Sequence, residues 1–594
     1  MEGPPELPPD VVFPMSVRAI LVSELAERFA YYGTSALLPT FLSHAMGFDE
    51  SVSIAAFFVF DSICYCSPLY GGYKADSSWG KYKTIIRLSL VYILGTALLS
   101  VAGFLQHADQ DCIDCIRDTG DDCEPCSAST LPMVFMMLGL LLIGIGTGGI
   151  KPCVSSFGAD QLPKSGEGAS ERVSKYFRYF YLAINVGSVM TYLVIPNLQS
   201  YFEPRVAYSY GVGFAPPAVL LTVATLIVWL GRRLYYHSPL KGSMLTKVFT
   251  TVRDARRHRP SGRRGGVWVP GCCMPCGAKS DDDEALLQQE QSDEDDEDQE
   301  AQTEWVHFLD WALRADGADP LTVADVKSFY RVMPVFATLP VFWMLFGQIS
   351  SAFVLQADKM DRNFFGWEMP PAMMQVVNPL TVVSFIPLFD KVVYPVFRWL
   401  GVMRRDLGKM TGGMLVSALA FVAVGLVQKT IDESALHSVH VLWQVPQLVL
   451  LTSGEIMVSV VGLEFAYSQA PVTMKSTVTA FFLLTKSIGS MFGAIFFLLL
   501  DKVTTNAAYH YWFFSALCLV NMLVLLLVRT QYRYRDIAAD AVDADATLPE
   551  DCAVLKAVSP HDVPQTLHAG ANTTLYAEED HYVDEPYEHQ VQQE

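Results

Sequence analysis

The segment ELAERFAYYG, residues 24–33, places two glutamates and an arginine inside an apolar run that extends over positions 19–42. A run of about 20 apolar residues is long enough to cross the hydrocarbon layer of a membrane. A charged side chain costs at least about 2.5–3.5 kcal/mol at the centre of that layer, so ionisable residues there are functional candidates. The segment therefore predicts a membrane protein whose first span carries part of the functional site.

Apolar runs of similar length recur along the 594-residue chain, which is 51% hydrophobic. We predict twelve spans, at residues 17–42, 51–71, 84–105, 131–153, 176–199, 210–234, 328–355, 371–397, 410–428, 440–462, 476–500 and 507–530. The run 371–397 contains prolines, which spans tolerate when they pack against other helices. The sequence therefore predicts an all-α integral membrane protein with two six-helix bundles, at residues 16–234 and 326–530.

The positions of lysine and arginine in the loops predict the orientation. With a cytosolic N-terminus, the inner loops hold the clusters KYK, RRLYYH, RDARRHR and MRRD, whereas basic residues are few in the outer loops. Cytoplasmic loops of membrane proteins carry the excess of basic residues. We therefore expect both termini to be cytosolic, with residues 1–15, 235–325 and 531–594 as N-terminal segment, linker and tail.

The net charge of −20 comes mostly from acidic residues 281–300 in the linker and from the tail. Segments of high net charge and low hydrophobicity bury too little apolar surface to fold. We predict that both are disordered and solvated, with docking of a basic cytosolic partner as the alternative. No nucleic-acid partner is expected.

Each predicted half has a polar loop after its second span, GGYKADSSWGKYKT at 71–84 and DKVVYPVFRWLGVMRRDLGK at 390–409. Internal repetition of this kind is typical of secondary transporters, whose halves rock around a central site. Asp76, in the first loop, can cap a helix or pair with a basic residue of the neighbouring bundle. We expect it to act in a gate that does not touch the substrate.

The predicted outer loop at 106–130 contains two CxxC pairs, formed by Cys112, Cys115, Cys123 and Cys126. This spacing suits a zinc site in the cytosol, but disulfides are favoured outside the cell or in an organelle lumen. Disulfides are therefore our first interpretation and zinc the alternative. Sequence does not choose among the pairings that these cysteines allow.

Further ionisable residues interrupt the later spans, namely Asp61, Lys151, Arg331, Glu455 and Lys486. In the first span, Glu24, Glu27, Arg28 and Tyr31 share one face, because residues three, four and seven apart align on a helix. A carboxylate beside an arginine can bind or release a proton as a neighbouring lysine moves. This arrangement predicts proton coupling, with a static salt bridge that fixes helix packing as the alternative.

ELAERFAYYG resembles the ExxER motif of the proton-coupled oligopeptide transporters, the POT or PTR family of the major facilitator superfamily. SFGADQ (156–161), FYLAINVGS (180–188) and GLEFAYSQAP (462–471) resemble further motifs of that family, in the same order. The resemblance covers nearly all of 16–530. It implies a major facilitator fold and proton-coupled symport of di- and tripeptides, without a cofactor; we see no catalytic set in the spans and expect no enzyme.

The resemblance also implies roles for individual residues. Glu24, Glu27 and Arg28 would couple to protons together with Lys151. Lys151 and Glu455 would face each other across the halves and anchor the carboxylate and ammonium of a zwitterionic peptide, whose orientation follows from the field between them. The peptide and cavity contacts implied are Asn185, Asn378, Tyr31, Tyr32, Tyr65 and Trp343.

Three positions depart from the family pattern. Many members carry an arginine where this chain has Ser35 and an acidic residue where it has Gly347, and in those members the arginine and the acidic residue pair as an outward gate. At a third position, Phe58 replaces the span-two histidine of animal carriers. Losing both partners is less costly than losing one, because a lone buried charge is uncompensated. We predict a substitute gate between Asp61 and Lys486, on spans that abut by resemblance, and count Arg331 as a further gating candidate. The alternative is that Asp61 and Lys486 each face the cavity separately.

The address and substrate stay open at this point. The residues after YYG are similar to those of lysosomal peptide/histidine transporters, which adds histidine as a substrate. Asp282, Leu286 and Leu287 form an acidic dileucine pattern that cytosolic sorting adaptors would bind, so an endolysosomal or vacuolar membrane and the plasma membrane are both considered. Alternatives are a carrier of nitrate or another small anion, against which Glu455 argues, and a transporter-like sensor or scaffold. We expect a monomer.

Overall fold

The structure, a computed structural model, describes the parts of the chain that hold the predicted spans. These are residues 13–106, 130–163, 169–203, 209–240, 242, 244–258, 308–315, 318–401, 403, 405–471, 474–504, 506–532 and 534. The four cysteines at 112–126 and the sorting pattern at 282–287 lie outside the described residues, so both stay predictions.

Six long helices form the first half of the molecule. They are α1 (Met15–Thr40), α2 (Glu50–Lys74), α3 (Lys81–Leu105), α4 (Thr130–Asp160), α5 (Ala169–Phe202) and α6 (Ser209–Leu230). Close van der Waals packing holds helices together where the surrounding lipid is itself apolar. The backbones of α2 and α4 touch: a Cβ on Gly71 would lie 2.0 Å from the carbonyl oxygen of Gly149. Only glycine permits this approach.

The linker contributes a helix that the sequence analysis missed. α7 (Met244–Arg257) carries apolar residues at 244, 248, 252 and 255 on one face, the spacing of an amphipathic helix. Val248 and Ala255 are buried in one cluster with Leu309 and Ala312 of the 3-10 helix Phe308–Arg314, and that cluster is the core of the second half. The linker is therefore not polar throughout.

The second half is built from six spans, several of them broken. Its helices are α8 (Pro320–Phe336), α9 (Leu339–Phe346), α10 (Ala352–Asp358), α11 (Val377–Leu388), α12 (Tyr394–Trp399), α13 (Asp406–Asp432), α14 (Gln444–Glu455), α15 (Val461–Gln469), α16 (Lys475–Val503) and α17 (Ala507–Gln531). Span seven is α8 to α10, span eight α11 and α12, and span ten α14 and α15.

Eleven segments of the described residues are long and apolar enough to cross a membrane. α1 is the twelfth span, and it is more polar because it carries the charges at 24–28. The prediction of an all-α membrane protein with two six-helix bundles is confirmed. One small addition is the antiparallel pair β1 (Asn363–Phe364) and β2 (Trp367–Glu368), whose turn uses positive φ at Phe365 (53°) and Gly366 (88°), as two-residue hairpins require.

Wide π-helical turns occur at matched places in the two halves. One follows α2 at Ala75–Trp79 and another follows α11 at Phe389–Val393. These are the second spans of their halves, in line with the repeated loops at 71–84 and 390–409. A further π turn, Ile456–Val460, begins directly after Glu455 and interrupts span ten. Such turns are frequent at functional sites.

The halves meet closely at one end of the bundle, which we call the sealed end. Three polar pairs cross between the halves there: His44 with Asp358 (2.8 Å), Glu50 with Lys359 (2.5 Å) and Ser51 with Asp501 (2.9 Å). The other side-chain hydrogen bonds and ion pairs that we describe across the halves lie at this end or at mid-span. The structure is therefore closed at the sealed end.

Candidate functional site

The charged face of α1 is buried and paired. Arg28 approaches Glu24 (Nε to Oε1, 3.0 Å) and also pairs with Glu27, and the three side chains belong to residues 3–8% exposed. Thr147 on α4 donates a hydrogen bond of 2.6 Å to Glu27. Among the described residues, Nε of Arg28 and Oε2 of Glu27 lack a well-aligned hydrogen-bond partner, so these contacts are charge pairs more than hydrogen bonds.

Lys151 lies one helical turn beyond Thr147 on α4. Its Nζ is buried and has no hydrogen-bond partner among the described residues. The ammonium instead lies 4.3 Å from the ring centroid of Tyr31 and 3.9 Å from that of Tyr65. A cation over an aromatic face gains about 0.5–2 kcal/mol, which compensates only part of the desolvation of a lysine. Lys151 is therefore a buried cation whose charge these two rings compensate only in part.

Asp61 on α2 joins three helices from both halves. Tyr31 of α1 donates to its Oδ1 at 2.9 Å, and Ser490 of α16 donates to its Oδ2 at 2.6 Å. Lys486 of α16 lies with Nζ 4.0 Å from Oδ1. The same ammonium is 3.8 Å from the ring centroid of Tyr65. Asp61 and Lys486 are thus brought together across the halves, and Tyr65 contacts both buried lysines.

Glu455 lies at the end of α14, on the wall of a cavity of about 170 Å³. Asn378 of α11 donates to its Oε2 at 2.8 Å and also to Thr452 at 3.0 Å. Tyr181 of α5 and Ile386 of α11 are among the other lining residues, so the cavity lies between the halves. A cavity of this volume with polar groups in its wall is large enough to hold water.

The remaining predicted cavity residues lie around this centre. Trp343 donates from Nε1 to Thr485 at 3.1 Å and is 5.5 Å from Lys486. Tyr32 contacts the rings of Tyr31 and Tyr192. Asn185 donates its amide to the carbonyl oxygen of Tyr181 one turn back, so its oxygen is the end available to a ligand.

The buried middle of the molecule holds three cations against four carboxylates. The cations are Arg28, Lys151 and Lys486. The carboxylates are those of Glu24, Glu27, Asp61 and Glu455. Arg28 pairs with both carboxylates of α1, and Lys486 lies near Asp61. Among the described residues, Lys151 and Glu455 have no ion-pair partner, and they come from different halves.

Several predicted relationships are not seen. No ion pair joins Lys151 to Glu455 among the described side chains, and Glu455 is held by Asn378 instead. Lys151 likewise makes no ion pair with the glutamates of α1. Arg331 is exposed on α8, outside the buried centre, and Asp76 lies in the π turn after α2. The described residues hold no group of three or more His, Cys, Asp or Glu side chains able to bind a metal.

Two of the three departures from the family pattern, Phe58 and Gly347, meet between the halves in a contact that we call the apolar seal. Phe58 is fully buried and packs into the core of the second half, although it belongs to the first. A Cβ on Gly347 would lie 2.5 Å from its ring, and one on Gly493 would lie 2.9 Å away. The ring of Phe58 therefore fills this junction between the halves. Ser35 is 2% exposed, and among the described residues its hydroxyl has no hydrogen-bond partner.

Sequence reasoning missed the hydroxyl partners Thr147 and Ser490 and the cross-half pair His44–Asp358. Threonine and serine are common in membrane helices, so their composition gives no signal. His44 follows the first span immediately, and an ionisable residue at a span end is ordinarily taken as solvated. Only the contact between the halves singles it out.

Comparisons with known proteins agree with this architecture. The model of the POT family, PTR2, matches residues 82–513. The chain is 34% identical over 427 residues to solute carrier family 15 member 1 of Rattus norvegicus, covering 71% of this chain and 53% of the relative. It is 32% identical over 452 residues to solute carrier family 15 member 2 of Homo sapiens, covering 76% and 54%. The chain thus spans about half the length of the curated relatives it matches.

Solved structures show the same fold. The crystal structure of the POT family transporter PepTSo superimposes with a TM-score of 0.69 at 29% identity, over 88% of this chain and 99% of that one. An auto-inhibited POT family peptide transporter gives the same score and identity, over 88% and 98%. With the family model matched along most of its length, this chain is a multi-pass integral membrane protein that belongs to the POT family.

Proposed function

We propose that this protein is a proton-coupled symporter of di- and tripeptides that works by alternating access. One observation carries the proposal. Of the buried central charges that the structure describes, Lys151 and Glu455 are the two without an ion-pair partner, and they have opposite charge and come from different halves. A zwitterionic peptide supplies the complementary pair. Binding it would join the halves through its own termini.

The surrounding side chains fit a peptide backbone between these anchors. Asn378 holds Glu455 in place and retains a carbonyl oxygen able to accept a hydrogen bond. Asn185 presents its side-chain oxygen after donating to Tyr181. Tyr32, Tyr65 and Trp343 supply apolar walls that do not select one side chain, so breadth toward peptide sequence follows.

The excess of one carboxylate over the cations supports coupling to a proton. Four buried carboxylates share three cations, so neutralising the set takes one further positive charge. A proton supplies it in the empty transporter. When a peptide binds, its ammonium meets Glu455 and its carboxylate meets Lys151, and the proton is then held by the cluster at 24–28.

We assign gating to the contact between Asp61 and Lys486, which crosses the halves at mid-span. Opening the sealed end would separate α2 from α16 and take both Lys486 and Ser490 away from Asp61. Arg331 and Asp76 would act at the opposite end. We further propose cytosolic termini, so that the sealed end faces outward and the structure is the inward-facing state.

The address and wider substrate range belong to the same proposal. The relatives are named as solute carriers, and one solved neighbour is titled a peptide transporter. Histidine is a zwitterion too and would satisfy Lys151 and Glu455. We propose two possible locations, the plasma membrane and an endolysosomal or vacuolar membrane to which cytosolic adaptors would direct the protein by binding Asp282, Leu286 and Leu287. Fluorescence microscopy of the tagged full chain and of its L286A/L287A variant distinguishes between them.

Uptake into liposomes tests the transport proposal. Purified protein is reconstituted, and accumulation of a labelled dipeptide is measured with and without an inward proton gradient. We expect gradient-driven accumulation, a loss of at least tenfold in apparent affinity in Glu455→Gln, and loss of gradient dependence in Glu27→Gln. Glu433→Gln is the control, since that residue is exposed at the end of α13.

Uptake of nitrate instead of peptide would move the protein to the anion carriers. Absence of any transport, with a folded protein, would overturn the symporter and leave the sensor hypothesis. Equal effects of Glu433→Gln and Glu455→Gln would show that the loss reflects surface charge and not substrate recognition.

A further inference from the structure

His44 makes a direct contact between the halves at the sealed end. It lies in the π-helical turn Phe41–Ala45 that follows α1, beyond the last α-helical turn of the first span. Its Nε2 is 2.8 Å from Oδ2 of Asp358, the last residue of α10 in the other half. The two side chains are 25% and 23% exposed. The pair is therefore mostly shielded but within reach of protons from the sealed side.

The charges around this pair favour a protonated imidazole. Arg362 lies 3.5 Å from the other oxygen of Asp358 and is itself paired with Glu368 at 3.1 Å. The remaining titratable groups that face the pair from neighbouring elements are Glu203 after α5, Tyr210 on α6 and His437 after α13. The carboxylates of Asp358 and Glu203 thus favour the protonated form of His44, and Arg362 opposes it. Burial lowers the pKa of His44, but the Asp358 carboxylate outweighs it, so the pKa lies above its ordinary value.

His44 is remote from the charges that the proposed function already uses. It follows Arg28 by sixteen residues, which corresponds to roughly 24 Å along a helix. Histidine is also the side chain whose ordinary pKa, about 6.5, falls within the pH range of cells and organelles. A neutral imidazole can still donate one hydrogen bond to Asp358, whereas the protonated ring adds an ion pair.

We propose that His44 is a second proton-binding site of this transporter, and that proton binding there holds the sealed end closed through Asp358. The inference rests on the proposed alternating access. Separation of the halves at this end removes Asp358 from His44 and returns the imidazole to water. Protonation from the sealed side thus favours closure, and loss of that proton favours opening.

The direction of the pH effect follows from linkage. A group whose pKa is raised in the closed state stabilises that state fully below its ordinary pKa, about 6.5. The stabilisation is lost as the pH rises through the raised value. Because one proton is involved, the ratio of closed to open molecules changes at most tenfold per pH unit.

A distance measurement across the sealed end tests the inference without any substrate. Spin labels are introduced as non-natural amino acids at Val52 on α2 and Leu436 after α13, both exposed, in the full-length protein in lipid nanodiscs. Pulsed electron spin resonance then gives the closed fraction between pH 5 and 8. We expect the closed fraction to rise as the pH falls through the range in which His44 titrates, and this step to disappear in His44→Gln.

Two further variants sharpen the result. Asp358→Asn keeps the hydrogen-bonding shape but removes the charge, and we expect its midpoint to fall toward or below the ordinary histidine value. If His44→Gln does not fold, Asp358→Asn still tests whether the charge of Asp358 sets the pH response. His440→Gln is the control, because that histidine lies at the same end but caps Leu442 and packs on Phe364; its profile should match the wild type.

A wild-type protein whose label distance ignores pH would overturn the inference, as would a His44→Gln variant that keeps the wild-type response. Either result can occur while gradient-driven peptide uptake is intact, in which case the transport proposal stands. A label distance that responds to pH in a protein that transports no peptide would instead support the proton site at His44 and reject the proposal that peptides are the substrate.

Discussion

At the scale of single residues, the site is organised by what each buried charge lacks. Lys486 and Lys151 both lie against the ring of Tyr65, yet only Lys486 has a carboxylate within 4.0 Å. A charged pair removed from water is stable only when both members are present. Asp61 and Lys486 should therefore depend on each other, whereas Lys151 and Glu455 should each depend on the substrate.

Removing one member of the Asp61–Lys486 pair should cost more than removing both. Asp61→Asn or Lys486→Met alone leaves an uncompensated buried charge, and we expect each to lower the stability by about 3–5 kcal/mol. The double variant should recover at least half of that loss. Thermal unfolding of the four proteins in one detergent measures this double-mutant cycle.

The exposed pair Lys429 on α13 and Glu433 just after it, 3.6 Å apart, provides the matched control. Exposed ion pairs contribute about 0–1 kcal/mol, so its cycle should show almost no coupling. Additive losses at Asp61 and Lys486 would mean that the two side chains face the cavity independently.

At the scale of helices, the junction between α2 and the second half depends on glycine. Phe58 fits because Gly347 and Gly493 present no side chain. Larger side chains at a packed junction force shifts that typically cost about 1–3 kcal/mol. In the proposed alternating access this contact is lost when the sealed end opens, so the cost should fall on the closed state.

Gly347→Ala should therefore shift the transporter toward the open form at the sealed end. Its new methyl group would lie 2.5 Å from the Phe58 ring, and we expect the closed-to-open ratio to fall at least fivefold. Spin-label distances at Val52 and Leu436 report the shift. Phe58→Leu in the same chain should restore closure by removing the clash.

Gly72→Ala is the control for this prediction. A Cβ at Gly72 in α2 would meet nothing nearer than 4.0 Å, and alanine is the better helix former by about 1 kcal/mol. A shift in Gly72→Ala as large as that in Gly347→Ala would refute the steric explanation.

At the scale of the whole molecule, the proposed alternating access requires the halves to separate at the sealed end in every cycle. Ser51 and Asp501 mark that boundary from opposite sides, with a hydrogen bond of 2.9 Å. A covalent link at this point should arrest the cycle with the sealed end closed while leaving each bundle folded.

Cross-linking should therefore stop peptide uptake. Cysteines at positions 51 and 501, treated with a short bis-maleimide, are expected to lower uptake at least tenfold. The parent protein treated with the same reagent controls for reaction of the native cysteines. A cysteine pair at positions 429 and 433, both in the second half, controls for the effect of the chemical modification alone. Unchanged uptake after complete cross-linking would exclude separation of α2 from α16 as part of the cycle.

Sequence reasoning reached the parts of this site that lie within one helix. The face shared by Glu24, Glu27, Arg28 and Tyr31 follows from helical spacing alone, and the structure shows it buried and paired. Twelve spans followed from the lengths of apolar runs. The amphipathic helix α7 was missed because its 14 residues are too short for a span and lie in a polar linker.

Contacts between the halves were harder to predict because they depend on how two rigid bundles meet. Asp61 with Lys486 was reached only through family resemblance, which placed their spans side by side. The replacements at Ser35, Gly347 and Phe58 were visible in the sequence, but the packing of Phe58 against Gly347 was not. Lys151 and Glu455 come from different halves, so whether they pair also depends on how the halves meet.

The apolar seal at Phe58 would also give the proposed transport cycle a thermal property. Opening the sealed end exposes buried aromatic surface to water, and each Å² of apolar surface exposed raises the heat capacity by about 0.45 cal/K/mol. The equilibrium between closed and open forms therefore changes with temperature along a curve and not along a straight line. Because burial of apolar surface stabilises less on cooling, lower temperature should weaken this seal. A gate made of charge pairs would instead be sensitive to the salt concentration.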